Sequence, residues 1–393
     1  AMRLVAAAGW YWYLGGHRAE GTELSVAAAS LPGEVPDEIR AMAYLVVTVF
    51  VTSRPGGDQY DAREWIQESY RLSLRSRLRN PLLGFGEPLN LALQEPSELP
   101  HAFEPLLTDD DPWVRALARL NRGRFQLTIG GSESDVDADF EVALTEFRVV
   151  GDRWGISFAL TSLADRLATR GEFLRACERF EEAVETLTEV GAIEDVVGLR
   201  ARQAQLYWLL GDERSSTAAL TDAQRYEDRI GWPDVLAELA LSKAQLARWR
   251  GQTDEAYEQL AAVRTILGGG QVRGSFRART QDQYGYLTED LAAARGHRTE
   301  AFHVARDTAY LPLIAEVLVG VADLALRQGE YEHAARLLAA SDSVRGTADR
   351  SLPDASRIAA DARSRLGETD FAEATRGGGS QDWRELAEIT LAS

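Results

Sequence analysis

Apolar residues along this chain recur at steps of three and four, the signature of helices with one buried face. In the clearest stretch Ala176, Phe180 and Ala183 occupy i, i+4 and i+7, one side of a helix. Few runs alternate apolar and polar positions over more than four residues. No Asn-Gly or Asp-Gly turn joins two such runs, so strands are not expected. The pattern predicts helices only.

The helices repeat. Gly16, Gly57, Gly131, Gly171, Gly211, Gly251, Gly296 and Gly329 each separate two helix-like stretches, at spacings of 41, 74, 40, 40, 40, 45 and 33. The 74 reads as two units, so a period near 40 runs the length of the chain. Small residues recur five positions after these glycines (Ala62, Ala176, Ser216, Ala256, Ala301, Ala334) and seven before several of them (Ala164, Ala204, Ala244, Ala322). Phe180, Leu220, Leu260 and Leu338 follow nine after. Small residues on both helices let two axes approach, and the larger side chain fills the gap to the next pair. The glycine permits the left-handed residue that ends the first helix. Each unit is therefore a helix–turn–helix that completes its core from its neighbours.

These units predict an all-α, right-handed α-solenoid of about nine helix pairs in one continuous superhelix. Residues 1–110 form less regular helical repeats, broken by Pro81, Pro88, Pro96 and Pro100. Residues 111–345 are the regular array. Residues 346–393 are a C-terminal helical cap: a helix to Leu366, a short one around Phe371, a Gly377-Gly378-Gly379 linker and a last helix over 383–391.

The turn Gly171-Glu172-Phe173, with Ala164 before it and Ala176, Phe180 and Ala183 after it, resembles the tetratricopeptide (TPR) consensus. Gly329-Glu330-Tyr331 with Ala334 and Leu338 does the same. A longer stretch, Phe147-Arg148-Val149-Val150-Gly151-Asp152-Arg153-Trp154-Gly155, resembles a motif of the C-terminal helical arrays in large actinobacterial transcriptional regulators. These are the SARP-type proteins and the large ATP-binding LuxR-type activators. Ala334 to Ser341, with Arg345-Gly346, Leu366-Gly367-Glu368, Phe371 and Ala374, extends the likeness. The resemblance implies a sensor and protein-interaction arm, with a P-loop ATPase and a DNA-binding module elsewhere in the full-length protein.

Composition narrows the partners. The 393 residues carry 43 Lys+Arg and 61 Asp+Glu, a formal charge of −18. So acidic a chain is not expected to hold nucleic acid directly or to bind an anionic membrane surface. The longest apolar stretch, residues 41–51, is far too short to span a bilayer. One cysteine, Cys177, excludes an intramolecular disulfide and fits a cytoplasmic location. The start, with Ala1-Met2 leading directly into a helical pattern, reads as part of a longer chain.

Catalytic patterns are thin, and the expectation is a non-enzyme without cofactor or metal. His17, His101, His297, His303 and His333 include no His-Glu-x-x-His, and the six-residue step from His297 to His303 separates helical faces. Cys177 follows Ala176 on a packed face and reads as a buried thiol. Gly269 and Gly274 have P-loop spacing, but Ser275 stands where lysine is needed, so an inter-repeat linker is expected. Arg71, Arg75, Arg77 and Arg79, and Arg273, Arg277 and Arg279, are two basic runs that suit solvated faces, acidic neighbours or an interdomain contact.

Binding has a better candidate. Six residues before the turn glycines stand Asp165, Gln205, Gln245, Asp290 and Asp323, with Trp208, Arg248 and Trp249 two to three residues before theirs. In TPR-like arrays the first helix of each pair lines the concave groove, which places this ladder there. It suits a protein, an extended peptide or a small effector, basic or neutral in charge, although the same polarity also serves solubility. Two functions follow: the sensor arm of a cytoplasmic transcriptional regulator, or a free-standing TPR adaptor or scaffold that binds peptides.

Overall fold

A computed structural model describes residues 1–15, 17–52, 62–76, 80–94, 99–129, 133–268, 274–308 and 310–392. Gly16, Gly57 and Gly131 of the glycine series, Pro96, Arg77 and Arg79, and residues 269–273 of the glycine-rich loop with Arg273 lie outside the described residues.

Every regular element among the described residues is helical. The first are α1 (Met2–Leu14), α2 (Arg18–Ser30), α3 (Asp37–Thr52), α4 (Arg63–Ser73), a 3-10 turn at Pro81–Phe85, α5 (Gly86–Gln94), and the short α6 (Leu99–Ala102) and α7 (Glu104–Leu107). Regular pairs follow: α8 (Pro112–Ile129) with α9 (Glu133–Val150), α10 (Arg153–Thr169) with α11 (Phe173–Val190), and α12 (Ile193–Leu209) with α13 (Glu213–Gln224). Next come α14 (Pro233–Trp249) with α15 (Thr253–Ile266), α16 (Gly274–Leu287) with α17 (Leu291–Thr308), and α18 (Leu311–Gln328) with α19 (Tyr331–Arg345). The chain closes with α20 (Pro353–Leu366), α21 (Glu368–Gly378) and α22 (Trp383–Ala392). This is the expected all-α repeat fold. No helix among the described residues is long and apolar enough to cross a membrane.

The turns explain the period. Gly171 has φ +82°, its N–H reaches the carbonyl of Ala168, and the next N–H, of Glu172, reaches back to Leu167. Gly211 and Gly251 repeat the same pair of bonds, at φ +75° and +74°. These are Schellman caps, which consume the free carbonyls of a helix end and need a residue at positive φ. The small residues sit where the helices cross: Ser216 on α13 donates its hydroxyl to the carbonyl of Ala204 on α12 at 2.7 Å, both fully buried.

Two expectations are corrected. Gly296 is not a turn glycine; it lies inside α17. The turn of that pair, residues 288–290, has no glycine. Arg327 from α18 takes over its role, donating to the carbonyls of Gly285, Thr288 and Glu289 at 3.1, 2.7 and 2.8 Å. Nor is the Gly377-Gly378-Gly379 triplet a linker: Gly377 and Gly378 form the last turn of α21. A Cβ on Gly378 would lie 2.3 Å from the carbonyl oxygen of Arg336, so the glycine lets α21 lie directly on the backbone of α19.

The chain divides into two compact units. One comprises Ala1–Ala164, Glu178–Arg200 and Thr221–Val235. Here the stretch from Phe147 to Gly155 is a turn built for packing. The buried Phe147 ring fills the space a Cβ on Gly155 would take. Asp152 accepts from the N–H of Trp154 and from the indole of Trp113 at 2.7 Å. Trp154 packs on Trp10 and Phe158. The buried Arg18 donates to the Tyr13 carbonyl and, with two nitrogens, to Asp195 on α12, fastening α2 to a helix distant in sequence.

The other unit comprises Asp165–Cys177, Ala201–Leu220 and Leu236–Ser393. One apolar cluster of this unit joins Phe302, Ile314, Val317, Leu318, Val321, Leu337, Ile358 and Leu386 from α17 to α22. The predicted binding ladder lies in this unit.

Candidate functional site

The register of α16 decides which residues belong to the ladder. Since α16 ends at Leu287 as α14 ends at Trp249 and α12 at Leu209, the counterpart of Gln245 and Gln205 is Gln283. Asp290 stands outside α16, and its carboxylate caps α17 by accepting the N–H of Ala293 at 2.8 Å. It is exposed and takes no part in the contacts of the ladder.

The other seven residues stand on first helices, and a chain of contacts runs along them. Arg202 on α12 lies 3.8 Å from the exposed Asp165 of α10 and donates to Gln205 at 3.1 Å. The buried Gln205 donates to the buried Gln245 at 3.0 Å, one repeat further on. Trp208 and Trp249 stack with ring centroids 5.3 Å apart. Arg248 donates to Gln283 at 2.7 Å, continuing the ladder to α16. Asp323 on α18 is buried and accepts from Arg357 of α20 at 2.5 Å.

A second layer of charge lies behind the ladder. Arg298 of α17, with no exposed surface, pairs with Asp282 and lies 3.5 Å from Asp323. The ring of Tyr286 is held between two guanidinium groups, with the Cζ of Arg298 at 3.8 Å and of Arg248 at 4.1 Å from its centroid. Burial pushes the carboxyl of Asp282 up to about 7, against the opposing charge of Arg298. Burial pushes the Tyr286 phenol well above its usual range.

The face is already covered. Residues 349–354, from the α19–α20 connection into the first turn of α20, contact residues of three first helices. The N–H of Arg350 donates to the carbonyl of Thr169, in the last turn of α10, at 2.8 Å. Ser351 accepts from Arg202 at 2.8 Å. Asp354 receives both terminal nitrogens of Arg248, at 3.1 and 2.7 Å, and the indole N–H of Trp249 at 3.3 Å. Burial works to raise the Asp354 carboxyl, but Arg248 and Arg357 and these hydrogen bonds hold it below the usual carboxylate range. Between Gln245, Arg248, Asp282, Gln283, Tyr286 and Asp354 a cavity of about 10 Å³ is left, room for one water and no effector.

On this face arginines and an indole hold a hydroxyl and a carboxylate of the chain's own residues, Ser351 and Asp354. Sequence reasoning missed Arg202, Gln283, Tyr286, Arg298, Asp354 and Arg357. Gln283 was findable by aligning helix ends instead of glycines. Asp354 and Arg357, in the part read as a cap, carried no such signal.

Elsewhere, chemistry-bearing residues have structural partners. Cys177 is buried. His297 contacts Gln281 and stacks on Tyr284, and His333 contacts the carbonyl of Leu386. Arg71 pairs with Glu68, Arg277 with Glu300, and Arg279 with Glu238. Among the described residues no group of three or more His, Cys, Asp or Glu is placed to hold a metal ion.

No family model matches the chain, and no curated protein matches it in sequence. Solved structures do match in fold. A Rap protein complexed with competence and sporulation factor superposes with a TM-score of 0.61 at 11% identity, over 92% of this chain and 99% of that one. The Cut9–Hcn1 hetero-tetramer of the APC/C gives 0.48 at 14% identity, over 92% of this chain and 60% of that one. A signal-transduction ATPase with numerous domains and a tetratricopeptide-repeat sensor, from Pyrococcus horikoshii, gives 0.45 at 12%, over 92% and 54%. At these identities the likeness is one of fold: a TPR-like helical repeat.

Proposed function

We propose that the chain is a non-catalytic protein-interaction module that binds an extended peptide or partner segment across its first helices. The observation that carries this reading is the seating of residues 349–354 on Thr169, Arg202, Arg248 and Trp249. A face that bonds both the backbone and the side chains of a segment leading into the first turn of a helix has the chemistry of peptide recognition. The Rap protein of similar fold was solved with a bound factor, which favours the same use of the fold here.

Within a larger protein, the module acts as the sensor arm of a cytoplasmic transcriptional regulator. Occupation of the face biases an attached ATPase and DNA-binding module by binding two states of the array unequally. Residues 111–345 supply the binding array, residues 1–110 its less regular start, and residues 346–393 the cap.

A peptide array tests the binding reading, with the wild-type chain and a Trp208→Ala, Gln245→Ala variant compared spot by spot. Loss of the bound spots in the variant is expected; identical binding would remove the site. The upstream reading frame tests the regulator reading. A Gly-x4-Gly-Lys-Ser/Thr ATPase is expected there, and an open reading frame that starts at Met2 would sink it in favour of a free-standing adaptor.

A further inference from the structure

Resting on the peptide-binding reading above, we propose that residues 349–354 are a built-in occupant of this face. The external ligand they compete with is an extended acidic peptide carrying a hydroxyl residue three positions before a carboxylate.

The bonds between segment and face are ones an independent peptide brings. One is a backbone N–H to the carbonyl of Thr169, a helix-end acceptor without an intrahelical partner of its own. One is a hydroxyl, Ser351, on Arg202. One is a carboxylate, Asp354, gripped at two points by Arg248 and capped by the Trp249 indole. The face residues lie on α10, α12 and α14, more than a hundred positions away in sequence. Gly171 leaves room for the segment: a Cβ there would meet the Arg350 side chain at 3.0 Å.

The segment's own shape is held locally. Asp349 accepts the N–H and hydroxyl of Ser351 at 2.9 and 2.7 Å and pairs with Arg345 at 3.2 Å. Gly346, at φ +86°, ends α19 just before it. The apolar anchors of α20, Ile358 and Ala362, sit further along in the core, so residues 347–354 can lift together with the first turn of α20, withdrawing Leu352 and Asp354, while the rest of that helix stays seated. Displacement selects for charge. Arg248 is nearly buried, and its ion-pair partner is Asp354; Gln283 and Tyr286 are neutral contacts, and the nearby carboxyl of Asp282 is engaged by Arg298. A departing Asp354 leaves a desolvated cation that accepts a replacement carboxylate and rejects a lysine or arginine. The small cavity excludes a small effector while the segment is in place.

The experiment uses the full chain and a fluorescein-labelled peptide with the sequence of residues 346–356, read by anisotropy. A Ser351→Ala, Asp354→Asn variant should bind the peptide at least about tenfold tighter than wild type, because the intramolecular competitor is weakened. Adding Arg248→Gln should abolish that gain, and a peptide with the Asp354→Asn change should not bind. Equal affinity for wild type and variant, with helicity retained, overturns the proposal. If the variant does not fold, hydrogen exchange on the wild type decides: saturating peptide should speed exchange of the Arg350 amide, and unchanged exchange overturns it. Neutral peptides that bind wild type without sensitivity to these changes overturn the built-in occupant and leave peptide binding standing. Failure of every peptide on the array to bind overturns both.

Discussion

Gly320 on α18 faces Arg298 on α17 so closely that a Cβ on the glycine would lie 2.2 Å from the guanidinium Nη1. The same Cβ would stand 2.0 Å from Oδ1 of Asp282. A helix interior ordinarily gains about 1 kcal/mol when glycine becomes alanine. Here the clash is with a buried ion pair, so Gly320→Ala should destabilise by about 3 kcal/mol. Gly296, exposed inside α17 with nothing near its missing Cβ, is the control. Urea melts should show Gly296→Ala neutral or more stable and Gly320→Ala much weaker; parity between the two would refute the packing argument.

Arg298 itself neutralises two buried carboxylates, Asp282 and Asp323. Arg298→Met removes the cation and leaves Asp282 without its ion-pair partner in the interior and Asp323 with Arg357 as its close one, which should cost about 3–5 kcal/mol. Adding Asp282→Asn and Asp323→Asn should recover much of that loss, because the penalty is uncompensated charge more than lost packing. A triple variant no more stable than Arg298→Met would show that shape, not charge, governs this site.

Stability should also rise on mild acidification. Burial lifts the carboxyl of Glu194 from its ordinary 4.5 to about 7, against the nearby charge of Arg18. Asp282 is lifted in the same direction, from 3.8 to about 7. Between the unfolded and folded values the native chain binds protons that the unfolded chain does not. The contribution is complete below the unfolded values and is lost as pH rises through about 7. Melting temperature should therefore be higher at pH 6 than at pH 8. Glu194→Gln should raise it at pH 8 and flatten the slope, by an amount worth up to about 3 kcal/mol. A Glu194→Gln variant with the wild-type pH profile would contradict this assignment.

What the sequence reveals follows from what is periodic. Helix pairs repeat because Gly171, Gly211 and Gly251 each close a Schellman cap, and such a cap leaves a mark that can be counted. The register was lost where that mark is absent. At α16 the capping role passes to Arg327, a residue one helix away in space and nearly forty positions away in sequence. That single substitution of device moved the expected ladder from Gln283 to Asp290. Gln205, Gln245 and Arg248 belong to a ladder legible from spacing, whereas Arg202, beside Gln205 on α12, has no counterpart in the repeats. Their partners Ser351 and Asp354 depend on a return of the chain that no local pattern encodes.

The glycine triplet near the C-terminus offers the sharpest contrast between composition and packing. Gly377 has open space where its Cβ would be, whereas at Gly378 a Cβ would meet the Arg336 carbonyl oxygen at 2.3 Å and its Cα at 2.5 Å. Backbone atoms of a packed helix cannot rotate aside as a side chain can. Gly378→Ala should therefore force α21 away from α19 and loosen the cluster of Ala335, Ala362, Phe371 and Ala374. The expected cost is about 2–3 kcal/mol, with faster amide exchange confined to residues 368–378. Gly377→Ala should be neutral or slightly stabilising. If both variants melt together, the triplet is a spacer after all and α21 does not depend on close backbone approach.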